Sequence, residues 1–344
     1  MNPILVEALR GHAVESSHCG ALAVLDADGA VLAALGDIDR PVFPRSAVKV
    51  LQALPLVASG AADQLGLSEA ELAIACASHN GEALHTQTVA SLLAKAGLDV
   101  SALECGTHWP YLDSASRALA AQGLEPNALN NNCSGKHAGF LCLACAMHGG
   151  VDLRQYARGY VKPEHPVMRE VTAALQMSTG FDLRNAPQGV DGCSIPTYAI
   201  PLRNLAQAFA RVGTGIGLST AHAQAAKRLR RAVASAPFMV AGTGRFDTRV
   251  MERLGERVFC KVGAEGVFCA ALPDRGLGVA IKIDDGNTAR ACEVVMAAVI
   301  EALVALDDTE AAFMRSLSEL RLVNWNGIEV GQLRAAAVLR SLRA

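Results

Sequence analysis

The chain has 344 residues, long enough for one large domain or two small ones and for a core that hides roughly three-quarters of the unfolded surface. Lysine and arginine total 31 against 33 aspartates and glutamates, a formal net charge of −2, which leaves no cationic excess for nucleic acid or an anionic membrane. With 51% hydrophobic and 19% charged residues, the composition excludes a disordered chain, because enough apolar surface exists to offset the entropy of ordering.

Met1 to His12 carries Glu7 and Arg10 and lacks the basic, apolar and cleavage regions of a signal peptide. Ten scattered cysteines fit a reducing compartment, so the expected location is the cytoplasm. His18 and Cys19 stand ahead of the first expected strand, with no partner visible in the sequence, and are assigned no role. Ala21 to Leu25 and Ala30 to Leu35 flank the turn residues Asp26 to Gly29 and predict a β-hairpin. From Ser46 to about Val212 the pattern is helical. Ser68 and Glu71 form a capping box, and Leu84 to Ala96 and His165 to Thr179 carry helically spaced apolar residues. Gly213 to Gly217 follows a helix and lacks dinucleotide-loop spacing, so it reads as a turn. Arg257 to Val262, Val267 to Leu272 and Leu277 to Ile283 read as strands, and a helix is expected from about Arg290 to Ala305. The apolar runs Phe140 to Met147 and Val294 to Leu306 are too short to span a membrane. The expectation is a single α+β domain over 1–344. Its antiparallel sheet combines N- and C-terminal strands, and a helical middle region of about 46–212 is inserted between them beside a cleft.

Ser46 and Lys49 lie three apart after Pro44, so a helix starting there stacks them a turn apart on one face. A serine hydroxyl needs a base to take its proton, and a lysine serves when burial or a neighbouring cation lowers its pKa. Ser78-His79-Asn80 and Lys261-Val262-Gly263 follow in order, giving the SxxK, SxN, KxG sequence of serine β-lactamases and penicillin-binding proteins. In that scheme Ser78 relays a proton to the leaving nitrogen, Asn80 with His79 beside it holds substrate, and Lys261 keeps Lys49 short of a proton.

Asn131-Asn132-Cys133-Ser134-Gly135-Lys136-His137 and Asp191-Gly192-Cys193-Ser194 are two polar loops, each carrying a thiol. Thiolates are favoured zinc ligands, but two cysteines do not make a site, and buried unpaired cysteine is common in cores. Lys136 and His137 are possible further ligands. Gly135-Lys136 lacks the first glycine and the following Ser/Thr of a phosphate loop, and Cys142 and Cys145 sit in an apolar helix where packing explains them.

The segments Phe43-Pro44-Arg45-Ser46, Cys76 to Glu82, Asn131 to Gly139, Gly189 to Ser194 and Ala241-Gly242-Thr243-Gly244-Arg245-Phe246-Asp247-Thr248 together resemble the zinc-associated L-asparaginases of the Rhizobium etli type, along nearly the whole chain. The resemblance implies a serine β-lactamase or glutaminase-like fold, a homodimer, and hydrolysis of L-asparagine to L-aspartate and ammonia. It makes Ser46 the nucleophile with Lys49 as activator, and Ser78 with Lys261 a second pair. It also implies Cys133, Lys136 and Cys193 as ligands of one zinc, with water in the fourth position. Asp191 and Arg45 match positions beside the substrate α-ammonium and α-carboxylate. A lysine amine must be neutral to ligate, so zinc occupancy is expected to fall with pH. No TGGT-type nucleophile loop stands near the amino terminus, and no autocleavage threonine context is evident, which discounts two other asparaginase classes. Two rival readings are another serine hydrolase on this scaffold, whether β-lactamase, peptidase, esterase or glutaminase, and a zinc-dependent amino-acid sensor without turnover.

Overall fold

The computed structural model describes residues 1–342. In chain order, β1 (Ile4–Arg10), β2 (Ala13–Asp26), β3 (Val31–Leu35) and β4 (Pro41–Val42) open the chain. The helices α1 (Lys49–Ala58), α2 (Ala61–Gln64), α3 (Glu69–Ala75), α4 (Ala83–Lys95), α5 (Asp113–Ala121), α6 (Ser134–Met147), α7 (Leu153–Ala157) and α8 (Pro166–Thr179) follow. Next come β5 (Gln188–Val190), β6 (Pro196–Tyr198), β7 (Ile200–Pro201), α9 (Leu202–Thr214), α10 (Thr220–Ser235) and α11 (Phe246–Leu254). The last elements are β8 (Phe259–Val262), β9 (Val267–Leu272), β10 (Leu277–Ile283), α12 (Glu293–Leu303), α13 (Asp308–Ser318), β11 (Glu319–Val323) and β12 (Glu329–Ala335). This is the α+β layout, with an antiparallel sheet of N- and C-terminal strands and a helical middle.

The chain forms two compact units, one of residues 1–47, 199–214 and 260–344, the other of 48–198 and 215–259. The first is built on the sheet, in the order β11-β12-β1-β2-β10-β9-β8, with β3 also paired to β2. The expected hairpin is present, with Leu22 opposite Leu35 and Leu25 opposite Val31. A second hairpin precedes it. β1 and β2 pair from Ile4 opposite Cys19 to Arg10 opposite Ala13, around Gly11 at φ 57°. His18 and Cys19 therefore lie inside a strand, and His18 Nδ1 sits 2.5 Å from Asp285 Oδ2, a partner 267 residues away.

Every residue of β9 is buried, the signature of a strand covered on both faces. α9 supplies one cover. Leu202, Leu205, Phe209 and Val212 recur at helical spacing and are buried, each contributing about 1.5–3 kcal/mol relative to exposure. Gly278 of β10 permits the contact, since a Cβ there would overlap the Ala206 carbonyl oxygen and the Ala210 nitrogen. The expected late helix begins as a π-turn at Thr288–Cys292 before α12. The β11–β12 hairpin, which turns through Asn326-Gly327, lies beyond the expected strands.

In the second unit α1 is the central helix, buried from Lys49 to Leu56 and packed on α6, α8 and α10. Helices continue through α11, beyond the expected end near Val212. The Ser68–Glu71 capping box opens α3 as expected. α6 crosses α3 at two glycines: a Cβ on Gly135 would overlap the Ile74 carbonyl oxygen, and one on Gly139 would lie 3.2 Å from Ala75 Cβ. That crossing sets the amino end of α6 against the chain leaving α3. Among the described residues no helix is long and apolar enough to cross a membrane, and no disulfide joins any of the ten cysteines.

Candidate active site

The Ser46 segment differs from the expected α-helix. Arg45–Val48 is a 3₁₀ turn entered through Arg45 at φ 51°, a left-handed conformation uncommon for a side chain larger than glycine, and α1 begins only at Lys49. Ser46 therefore lies in the 3₁₀ turn, and Lys49 is the first residue of α1. Ser46 and Arg45 are half-buried. Gly263, after Lys261, packs on this turn, where a Cβ would meet the Pro44 carbonyl oxygen at 2.6 Å and Ala47 Cβ at 3.3 Å. Lys261 is fully buried on β8, and its Nζ donates to the Val262 carbonyl at 2.8 Å. The first unit thus sets the Pro44–Ala47 turn beside the KxG strand end.

The second unit brings together Lys49, Ser78, Cys133, Lys136 and Cys193. Lys49 Nζ donates to Ser78 Oγ at 2.9 Å, to Cys133 Sγ at 3.1 Å and to the Ala77 carbonyl. Lys136 Nζ donates to Cys193 Sγ at 2.9 Å, and the two thiols hydrogen-bond to each other. Cys133 caps α6 and Lys136 lies in its first turn, which puts both on one end of the helix. Cys193 arrives on the tight β5–β6 turn, closed by Asp191 N to the Ile195 carbonyl and Ser194 N to the Asp191 carbonyl, both at 2.8 Å. Asp191 Oδ1 accepts from Gly192 N at 2.8 Å, and its Oδ2 lies 3.9 Å from Cys193 Sγ.

Burial lowers the Lys49 pKa, and Lys136 adds to the effect against the opposing pull of Cys133 and Cys193. Of the thiol pair, Cys133 is the one held low. The hydrogen bond from Cys193 lowers it most, burial opposes, and Lys49 and Lys136 lower it further. Cys193 keeps its proton, pushed up by its bond to Cys133 and by burial. Burial pulls Lys136 down, but Cys193, Cys133 and Asp191 raise it above the ordinary lysine value. Two thiols and an amine gathered in this way, Cys193 bonded to both Lys136 and Cys133, are a donor set that suits zinc. Among the described residues no three His, Cys, Asp or Glu side chains are grouped to hold a metal ion, and this set contains two thiols plus the lysine.

His79 and Asn80, expected as substrate contacts, are both hydrogen-bonded within the protein. His79 is fully buried. Its Nδ1 accepts from Gly81 N at 3.1 Å, so the proton is on Nε2, which donates to Ser134 Oγ at 2.9 Å. Burial, then His85, Lys49 and His108, hold its pKa well below the usual histidine value, and the ring is neutral. It stacks on His85 with centroids 4.9 Å apart, and His85 stacks on Phe238. The Asn80 carboxamide donates to the Thr243 carbonyl at 3.2 Å and to Glu82 Oε1 at 3.4 Å, and accepts from Arg245 Nη1 at 3.1 Å. Glu82, Thr243 and Arg245 were missed as individual residues. The Gly-Thr-Gly-Arg run at 242–245 was their visible trace, but nothing local says what it faces.

A buried lysine amine on a serine hydroxyl is equipment for acyl transfer to serine, and the fold around it is α+β with a mixed helical region. The L-asparaginase II family matches residues 6–335, and the chain belongs to that family. Membership assigns it L-asparaginase activity. Among solved structures the chain is similar to a β-lactamase from Mycobacterium bovis, at 18% identity and a TM-score of 0.38 over 80% of this chain and 90% of the other. A putative β-lactamase from Bacteroides dorei gives 13% identity and 0.41 over 78% and 88%. Mglu in its Tris and glutamate form gives 15% identity and 0.35 over 85% and 61%. No curated protein matches by sequence.

Proposed function

We propose that the protein hydrolyses L-asparagine to L-aspartate and ammonia through a β-aspartyl ester on Ser46. Ser46 Oγ attacks the side-chain carboxamide carbon while Lys49, three residues on, takes its proton. Backbone N–H groups hold the oxyanion. The C–N bond then breaks as the proton held on Lys49 passes through the Ser78 hydroxyl to the departing nitrogen, so ammonia leaves and Lys49 is neutral again. Water attacks the ester with its proton going to the same amine, and Ser46 is regenerated. Lys261 raises the cost of protonating Lys49, and Arg45 and Asp191 hold the α-carboxylate and α-ammonium. The observation that supports this reading best is the buried Lys49 amine at 2.9 Å from Ser78 Oγ, since an amine placed there is already in a proton relay with a hydroxyl.

Cys133, Lys136 and Cys193 would hold one zinc, with water as fourth ligand. When bound, zinc supplies a fixed positive charge that orients substrate beside Asp191, not the attacking hydroxide. A cytoplasmic homodimer completes the reading. The test is ammonia release from asparagine by wild type and Ser46→Ala, with intact-mass trapping and peptide mapping of the acyl group. An ester mapped to Ser46 is expected, and near-normal turnover by the variant overturns the assignment. A chromogenic β-lactam or ester turned over in preference to asparagine would place the protein among other serine hydrolases.

A further inference from the structure

The segment Ser78 to Glu82 is held by the loop Gly242 to Arg245 more completely than a substrate-binding loop requires. Two backbone bonds start the grip, Ser78 N to the Val240 carbonyl at 2.8 Å and Asn80 N to the Ala241 carbonyl at 2.9 Å. Side chains finish it. Arg245 donates to Asn80 Oδ1, Asn80 donates to the Thr243 carbonyl, and Glu82 accepts from Thr243 N at 2.9 Å and from Thr243 Oγ1 at 2.7 Å. Gly242, at φ 106°, leaves no room for a side chain, since a Cβ would overlap Glu82 Oε1 and lie 2.9 Å from Asn80 Nδ2. Asn80 is 2% exposed, and both of its N–H directions are used inside the protein.

We propose that Asn80 is a positioning residue that contacts no substrate, and that Arg245 and the 242–245 loop lock it so that Ser78 keeps its hydroxyl on Lys49. The proposal rests on the asparaginase reading above for its kinetic consequence. Ser78 is two residues from Asn80 on a segment with little regular structure of its own, so its Oγ position is set by what grips the backbone on either side. A displacement of about 1 Å at such a group costs on the order of 10²-fold in rate.

The experiment uses full-length Asn80→Ala, Arg245→Met, their double variant, and Arg245→Lys, which keeps a donor. Two readouts are taken, kcat and KM for ammonia release from asparagine, and amide hydrogen exchange across 76–82. Each of the first two variants is expected to lower kcat by on the order of 10²-fold with KM within about twofold of wild type. The double variant should fall no further than the worse single, Arg245→Lys should lie between, and exchange at Ser78 and Asn80 should speed up in Arg245→Met. A roughly tenfold rise in KM for Asn80→Ala with kcat kept, beside a wild-type Arg245→Met, overturns the proposal in favour of a substrate contact. Unchanged exchange in a folded Arg245→Met also overturns it. If wild type releases no ammonia from asparagine, the substrate reading alone falls, and the exchange comparison still decides whether Arg245 holds Asn80.

Discussion

Lys49 Nζ and Ser78 Oγ, 29 residues apart in sequence, are 2.9 Å apart in the fold, inside a cluster closed to bulk water. The lysine of the SxxK pattern is thus engaged with the serine of the SxN pattern, and one amine serves both hydroxyl-bearing motifs in the proposed reaction.

Lys49→Met removes that amine while keeping the length and apolar stem of the side chain. Ammonia release from asparagine should drop by about 10²–10⁴-fold, the range for a positioned acid or base. Ser78→Ala should cost less than Ser46→Ala, because losing a relay slows proton transfer whereas losing the nucleophile removes the atom that forms the ester. A buried amine is costly to desolvate, so urea unfolding of Lys49→Met should give a midpoint no lower than wild type. A variant that keeps turnover would remove Lys49 from the mechanism.

Zinc content is the second measurement. Elemental analysis of the purified protein should find about one zinc per chain, and Cys193→Ser and Lys136→Met should each lose it. Adding zinc to chelated wild type should stabilise it by about 2.7 kcal/mol at a hundredfold excess over Kd, read from thermal unfolding. Wild type that binds no zinc after reconstitution would reduce the cluster to a hydrogen-bonded thiol pair.

Glu71 gives a stability prediction with a defined pH sign. It is buried, and it takes Lys95 Nζ at 2.6 Å, Ser68 N at 2.7 Å, and the Ser91 and Ser68 hydroxyls at 2.9 Å. Burial pushes its carboxyl pKa up, but Lys95, Ser68 and Ser91 together outweigh burial and hold it below the ordinary value. A carboxyl lowered in the fold contributes stability that is full above its unfolded pKa of about 4.3 and disappears as pH falls through the folded value. Glu71→Gln should therefore cost about 1–3 kcal/mol at neutral pH, and urea titrations should show the gap to wild type closing in acid. A gap that widens in acid would reverse the assignment.

Gly135→Ala tests the helix crossing that assembles the cluster. Its Cβ would overlap the Ile74 carbonyl oxygen, so α6 must move off α3, at a cost of about 1–3 kcal/mol. Because Cys133 and Lys136 flank it, zinc retention should fall as well. An alanine variant with wild-type stability and zinc content would show that the crossing is not tight.

Much of the fold was legible in the amino-acid order. The Ala21–Leu35 hairpin, β8 to β10, the Ser68 capping box and α8 all follow from alternation, turn residues, a cap and helical spacing, which act within a few residues. The first hairpin was missed because Glu7, Arg10, Glu15 and His18 break its apolar alternation, and the partners of Glu7 and His18, Arg334 and Asp285, lie hundreds of residues away. The start of α1 was misplaced because the left-handed Arg45 shifts the turn to 3₁₀, a conformation its residue type does not announce.

The sequence by itself determined the type of protein, a chain of near-zero net charge with the SxxK, SxN and KxG elements and two thiol loops in order, since residue chemistry and short spacing are local properties. Only the tertiary structure decided which groups meet. It gave Lys49 to Ser78 and Cys133, joined Cys193 to Cys133 and Lys136, and paired Asn80 with Arg245. A hydrogen bond needs its two atoms within about 3 Å, and for residues tens to hundreds of positions apart that proximity is set by packing such as the α3–α6 crossing at Gly135, which no local pattern encodes.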